Sequence, residues 1–167
     1  TSPIMLILFI LQKIIEPKSP AIYKDTRLTR FNQEFPLLKF RSIRQAYSGL
    51  TPEQAFEKMG RPELIEKYRK SGDHIDNDPR YTKFGKFLRA TSLDELPQLF
   101  NVLVGDISLI GPRALQPIEL KTYGDRSLIL SVKSGLTGLA QVSGRRDISF
   151  NERRALDVYY VQNWSLA

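Results

Sequence analysis

Thr91-Ser92-Leu93-Asp94-Glu95-Leu96-Pro97-Gln98-Leu99-Phe100-Asn101 places two adjacent acids directly after a run whose only charges are basic: Arg80, Lys83, Lys86 and Arg89. Ser92 with Glu95 three residues later has the form of a capping box, and Leu96, Leu99, Phe100 and Leu103 recur at helical spacing. The pattern predicts a helix starting at Ser92, with Pro97 close enough to its first turn to be tolerated. Both carboxylates would then stand at a helix N-terminus, where the macrodipole favours their ionised forms. First-turn acids are common for capping alone, so the rest of the chain has to decide whether this pair does chemistry.

Around that stretch lie 167 residues, 41% hydrophobic and 26% charged, enough for a folded domain with a core. There is no cysteine, which excludes disulfides and thiolate-metal sites, and a single histidine, His74, excludes a histidine-rich zinc site. The net charge of +7 points to an anionic partner: nucleic acid, a phosphorylated substrate or an anionic membrane surface. A merely soluble basic surface has the same charge.

The first twelve residues, Thr1 to Gln12, carry no charge. Ser2 can cap and Pro3 suits the first helical position. A helix running to Ile15 is apolar on every side, so it belongs in a core or in lipid. At about 20 Å it falls short of the roughly 30 Å hydrocarbon core of a bilayer. Lys13, Lys18, Lys24, Arg27 and Arg30 follow as a basic collar, which favours a membrane-embedded piece. Opening on Thr-Ser-Pro, the chain reads as a fragment from a longer protein.

Further along, Ala21 to Tyr23 and Phe35 to Arg41 look like strands, with Asp25 to Glu34 as a polar connection. Strand alternation puts Lys39 and Arg41 on one face, a geometry open to phosphate and equally to solvent. Thr51-Pro52-Glu53-Gln54 is a capped helix start, and Glu63 to Lys70 a second, charged helix. Ser71 to Pro79 is a polar loop. Arg80 to Arg89 carries a base at every third residue, a basic stripe beside Phe84, Phe87 and Leu88. Beyond the acids, Gly105-Asp106 ends a helix, Ile107 to Ile110 is extended, and Gly111-Pro112 projects Arg113 from a rigid corner. Gly135 to Arg146 contains three glycines that would let backbone approach a ligand, or simply make turns; it lacks the Gly-Lys-Ser/Thr ending of a P-loop. Glu119 to Tyr123 and Asn151 to Val161 read as helices, the latter with Leu156, Tyr159 and Tyr160 near one face.

Taken together, Lys39-Phe40-Arg41-Ser42, Asp78-Pro79-Arg80, Leu93-Asp94-Glu95-Leu96-Pro97, Gly105 to Arg113, Gly135-Leu136-Thr137-Gly138, Gln141 to Arg145, Leu156 to Tyr160 and Asn163 to Leu166 occur in this order. This series strongly resembles the bacterial sugar transferase family, the monotopic phosphoglycosyl transferases that begin polysaccharide and glycoconjugate assembly. The likeness covers nearly the whole chain. It departs from the family at Ala114, where proline is usual, and across Asp25 to Gln33, which lacks the usual glycines.

The resemblance implies transfer of a phosphosugar from a nucleotide diphosphate sugar, a UDP-sugar by type, to polyprenyl phosphate, with release of UMP. It implies magnesium with an Asp-Glu dyad, in which Asp94 matches the nucleophile and Glu95 the metal-associated neighbour. Lys39, Arg41, Arg89, Arg113, Arg145 and Asp157 are the corresponding candidates for the substrate and phosphate site. Ser2-Pro3 resembles the kink of a re-entrant membrane helix, making residues 1–16 its second half and residues 17–167 the catalytic domain. The protein would rest on the cytoplasmic leaflet of the bacterial inner membrane, in contact with lipid and not with nucleic acid. The expected fold is α+β, mostly helical with a few short strands. A non-catalytic basic module for membrane or nucleic acid is the competing reading; it explains the charge but not the clustered acids or the motif order.

Overall fold

The computed structural model describes residues 2–71, 75, 77–121, 126–144 and 148–163. Among these, helices predominate and the strands are short, as the α+β expectation has it. The chain divides into two units: Thr1–Tyr23 with Phe40–Leu96, and Lys24–Lys39 with Pro97–Ala167.

In the first unit, α1 (Ser2–Ile15) begins beside Pro3 and ends before Pro17. Lys13 Nζ donates to the Ser19 carbonyl at 2.9 Å, a cation satisfying groups beyond the helix C-terminus. The expectation of a helix apolar on every side is met in composition, but only one side is covered. Leu8 and Met5 pack with Phe40, Leu88, Ile22, Phe84, Leu93 and Leu96. Ile4, Leu6, Ile7, Phe9, Ile10, Leu11, Ile14 and Ile15 stay exposed. Among the described residues no helix is long and apolar enough to cross a membrane.

The helix α2 (Pro52–Lys58) has the full capping box: Thr51 N–H donates to Gln54 Oε1 at 3.0 Å, and Gln54 N–H to Thr51 Oγ1 at 3.3 Å. With α3 (Glu63–Lys70) it builds a small core of Phe56, Leu64 and Ile75, in which Tyr68 meets Phe56 edge-on at 5.8 Å. Next, α4 (Lys83–Thr91) starts where Gly85 N–H donates to Thr82 Oγ1 at 2.8 Å. A Cβ on Gly85 would stand 2.0 Å from the Ser42 carbonyl oxygen, so only glycine lets this turn lie on that backbone. The basic stripe is shorter than its spacing implies. It begins at Lys83, because Arg80 precedes the helix and turns inward.

Strand β1 (Ile22–Leu28) pairs with β2 (Glu34–Phe40), and the second unit takes in β1 from Lys24 and β2 as far as Lys39. The strand β1 runs well past the expected Tyr23. Its polar residues are held there by side chains: Arg27 pairs with Asp25 at 2.6 Å and donates to the Ala114 carbonyl at 2.9 Å. In the glycine-free connection, Phe31 and Asn32 both take left-handed backbone, φ 60° and 59°. Next come α5 (Gln98–Val104), closed by Gly105 at φ 84°, and β3 (Ser108–Ile110). The last elements are β4 (Gly135–Thr137), α6 (Leu139–Ser143) and α7 (Phe150–Asn163). Parallel pairing sets Ser108 opposite Gly135 and Ile110 opposite Thr137. Phe35, Leu37, Ile107 and Ala114 form one core, and Leu115 with Ile129 another.

Two helical expectations change. Residues Pro117–Lys121 form a 3-10 helix, and Tyr123 lies outside the described residues. On α7 the inward residue is Asp157, flanked by Val158 against Leu115 and Ile129, while Tyr159 is exposed.

Candidate active site

The two acids do not open an α-helix. They sit in a single 3-10 turn, Leu93–Glu95, because Ser92 adopts left-handed backbone at φ 59° and its side chain caps nothing there. Glu95 N–H donates to the Ser92 carbonyl at 3.1 Å and Leu96 N–H to the Leu93 carbonyl at 3.3 Å. The next α-helix waits until Gln98, so the macrodipole argument for the acids falls away. What the turn does instead is separate two neighbours. Asp94 is 7% exposed and Glu95 half-buried, with Leu93 and Leu96 on either side in the α1–α4 core.

Arg89 stands half-buried on α4, five residues before Asp94, and its guanidinium carbon lies 4.9 Å from the Tyr81 ring centroid. Arg41, by contrast, is 6% exposed, and two of its nitrogens bond within the fold. Nε bonds the Pro20 carbonyl at 2.8 Å, Nη1 bonds Ser48 Oγ, and the Tyr23 ring lies 5.6 Å away. Burial lowers the Arg41 pKa, partly offset by Glu16. Arg80 is similarly interior. It makes a bidentate pair with Asp78, at 2.6 Å for Nη2 to Oδ2, inside a box of Phe56 and Tyr68, each 4.9 Å away.

Within the second unit, Lys39 is half-buried near the end of β2. Asn101, buried on α5, fixes the strand just before it: Leu38 N–H donates to Asn101 Oδ1 at 3.0 Å, and Asn101 Nδ2 donates to Pro36 O at 2.9 Å and Asp106 Oδ2 at 2.8 Å. The Gly111-Pro112-Arg113 corner is built from backbone packed on backbone. A Cβ at Gly135 would meet Gly111 N at 2.2 Å, and one at Gly138 would meet Gly111 O at 2.1 Å. These glycines therefore serve contact within the chain, and need no ligand to account for them. Arg113 Nη1 pairs with Glu119 at 2.8 Å, which also holds Gln116 N–H. Asp157 sits behind the corner at 2% exposure and accepts the Arg113 backbone N–H. Its Oδ1 has no partner among the described residues. Burial drives its pKa up to about 6, against the pull of Arg113 and Arg153.

So Arg41, Arg89, Asp94 and Glu95 fall in the first unit, and Lys39, Arg113 and Asp157 in the second. Arg145 lies outside the described residues, as do His74 and Asp76. Sequence reasoning missed Tyr81, Asn101 and Glu119. None had a local signal, because each acts on a residue reached only through the fold. Among the described residues no group of three or more His, Cys, Asp or Glu side chains could hold a metal. Two adjacent carboxylates nevertheless suit magnesium, a hard cation that accepts one or two protein oxygens and fills the remaining positions with water and phosphate.

The fold and its acids define a mixed helix-and-strand protein in which a paired-acid turn is preceded by bases. The chain belongs to the bacterial sugar transferase family, whose model matches residues 1–167. It is 43% identical over 167 residues to the undecaprenyl-phosphate galactose phosphotransferase of Salmonella typhimurium, covering 99% of this chain and 34% of that protein. Identity is 40% over 166 residues with exopolysaccharide production protein ExoY of Rhizobium meliloti, of which 71% is covered along with 99% of this chain. It is 35% over 176 residues with the UDP-glucose:undecaprenyl-phosphate glucose-1-phosphate transferase of Klebsiella pneumoniae, again 99% of this chain and 33% of the relative. The chain thus spans about a third of the Salmonella and Klebsiella relatives.

Proposed function

We propose that the protein transfers a sugar 1-phosphate from a UDP-sugar to polyprenyl (undecaprenyl) phosphate, releasing UMP, at the cytoplasmic face of the bacterial inner membrane. The observation that carries this reading is the whole-chain match to relatives named for undecaprenyl-phosphate sugar-phosphate transfer. The reaction would be the first membrane step in making exopolysaccharide, capsule, O-antigen or glycoprotein glycan.

An oxygen of the Asp94 carboxylate attacks the sugar-side phosphorus of the pyrophosphate. A bond from that oxygen to phosphorus forms, the bond from phosphorus to the bridging oxygen breaks, and that oxygen leaves on UMP. An oxygen of polyprenyl phosphate then attacks the same phosphorus. The acyl-phosphate bond breaks, Asp94 returns as carboxylate, and polyprenyl diphosphate sugar departs. Low exposure suits Asp94 to this role, since a nucleophile and phosphoryl group shielded from water are less open to hydrolysis. Phosphoryl transfer is mainly positioning and charge neutralisation, and the cations proposed for the phosphate oxygens are Lys39, Arg41, Arg89, Arg113 and Arg145. In Arg41, Nε already serves the Pro20 carbonyl and Nη1 serves Ser48. Asp157 contributes through the backbone of Arg113. Magnesium bound through Glu95 and Asp94 would supply further neutralisation of the pyrophosphate.

The exposed apolar side of α1, followed by Lys13, Lys18 and Lys24, supports a monotopic seat in which residues 1–16 form the returning half of a re-entrant helix. The test is made on the full-length protein in lipid. Labelled UMP is expected to exchange into UDP-sugar without any lipid acceptor, which a sequential mechanism forbids. In Asp94→Asn both the exchange and the covalent phosphosugar adduct disappear. An adduct that survives in this variant removes Asp94 as nucleophile, and no transfer across a broad panel of nucleotide sugars overturns the enzyme reading.

A further inference from the structure

We infer that Tyr81 is a positioning residue for Arg89: its ring sets where the Arg89 guanidinium meets an anionic, pyrophosphate-bearing ligand. The inference deepens the proposed function by naming what aims one of its phosphate-binding cations.

The geometry lies wholly within the first unit. The guanidinium carbon of Arg89 sits 4.9 Å from the Tyr81 ring centroid, and that of Arg80 sits 5.9 Å from the same ring. Tyr81 thus has a guanidinium close on each of two approaches, and its own position is fixed. Its backbone forms an antiparallel bridge with Ile43, and the following residue, Thr82, donates its N–H to Ser42 O at 3.2 Å and caps α4. Behind it, Arg80 is immobilised by the bidentate Asp78 carboxylate and by the Phe56 and Tyr68 rings. Burial raises the Tyr81 pKa, so the ring stays a neutral phenol at physiological pH.

A ring is a better aiming device here than a carboxylate. An aromatic face attracts a cation through its quadrupole and engages the flat face of the guanidinium. The N–H donors of arginine lie in the guanidinium plane, the direction in which phosphate oxygens are recognised. A face contact therefore orients a cation without occupying its N–H edge, whereas a carboxylate partner takes that edge. Asp78 takes it on Arg80, and Tyr81 offers Arg89 a ring at 4.9 Å.

The experiment uses the full-length protein in lipid nanodiscs, with inorganic pyrophosphate as a non-reacting probe in calorimetric titration beside the transfer assay. Tyr81→Leu is expected to weaken pyrophosphate binding about 3- to 10-fold, the range of a partly desolvated cation–π contact. Donor KM should rise by a similar factor, with a smaller change in kcat. Tyr81→Phe keeps the face and should bring both values back to within about twofold. In an Arg89→Ala background the Tyr81→Leu effect should vanish, since the ring then has nothing to aim. A loss of binding that simply adds to that of Arg89→Ala, or one that Tyr81→Phe fails to rescue, overturns the inference. The binding arm separates the two readings. Coupled pyrophosphate binding in a protein that transfers no sugar phosphate leaves the inference standing and removes the proposed function.

Discussion

The acid turn at Ser92–Leu96 and the glycine corner at Gly111–Arg113 each set functional candidates in place, by opposite means. In the first, the backbone is held by short local hydrogen bonds and one left-handed serine, and the side chains differ in exposure: Asp94 is closed in and Glu95 half-open. In the second, backbone presses on backbone across more than twenty residues of sequence, and the space where side chains would stand is already filled. At the turn a residue's chemistry is what matters. At the corner a residue's absence of Cβ is what matters.

Substitution separates these two. Asp94→Asn changes one oxygen for nitrogen in a turn closed by the backbone hydrogen bonds from Glu95 N–H to Ser92 O and from Leu96 N–H to Leu93 O, and the transfer rate should fall by about a thousandfold or more. Its thermal unfolding midpoint should drop by less than that of Gly138→Ala. A new Cβ at Gly138 would lie 2.1 Å from the Gly111 carbonyl oxygen, and backbone cannot swing aside as a flexible side chain can. That overpacking should cost about 3 kcal/mol, read as a lowered midpoint in denaturant. If Gly138→Ala unfolds like the parent protein and only loses activity, the corner is a ligand cradle after all and the comparison fails.

Asp157 tests the corner from behind. Its pKa of about 6 lies above the ordinary 3.8, so the folded state holds the proton more tightly than the unfolded chain. By linkage, this contribution to stability is full below about pH 4 and is lost as pH rises through about 6, a total of about 3 kcal/mol at 1.36 kcal/mol per unit. Asp157→Asn keeps an oxygen to accept the Arg113 N–H and removes the titration. The variant should match the parent near pH 4, exceed it in stability at pH 7, and flatten the unfolding profile between. A profile that still falls in the variant assigns the pH dependence to another group.

How far the chain could be read from its residues follows the same division. Local devices were legible. Pro3 and Pro17 bracket α1, Thr51 and Gln54 form their capping box as spaced, and Gly105 closes α5. The acids themselves were legible as a pair, but not as a 3-10 turn. Ser92 and Glu95 have capping-box spacing, and nothing local says that Ser92 will turn left-handed. Long-range partners were illegible for a physical reason. Arg80 looks like a surface base until Phe56 and Tyr68, distant in sequence, close around it. Asp25 and Arg27 look like loop residues until the Ala114 carbonyl, 87 residues beyond Arg27, accepts its guanidinium. Asp157 is one acid among apolar neighbours until the fold buries it.

The smallest effect sharpens the comparison most. Thr51→Ala removes the side-chain acceptor of the α2 capping box and should cost about 1 kcal/mol. Thr51 belongs to neither the acid turn nor the corner, yet the helix it starts carries Phe56, one wall of the Arg80 box. Its loss is therefore a pure stability change in the unit that holds Asp94. If holding the acids and Arg89 depended on the general firmness of that unit, pyrophosphate affinity would weaken in Thr51→Ala as it does in Tyr81→Leu. The local account says otherwise: the unfolding midpoint should drop by a few degrees while pyrophosphate affinity and donor KM stay within about twofold of the parent. Equal losses in the two variants would mean that the turn and its neighbouring arginine are held by bulk packing, as the glycine corner is, and the distinction between the regions would collapse.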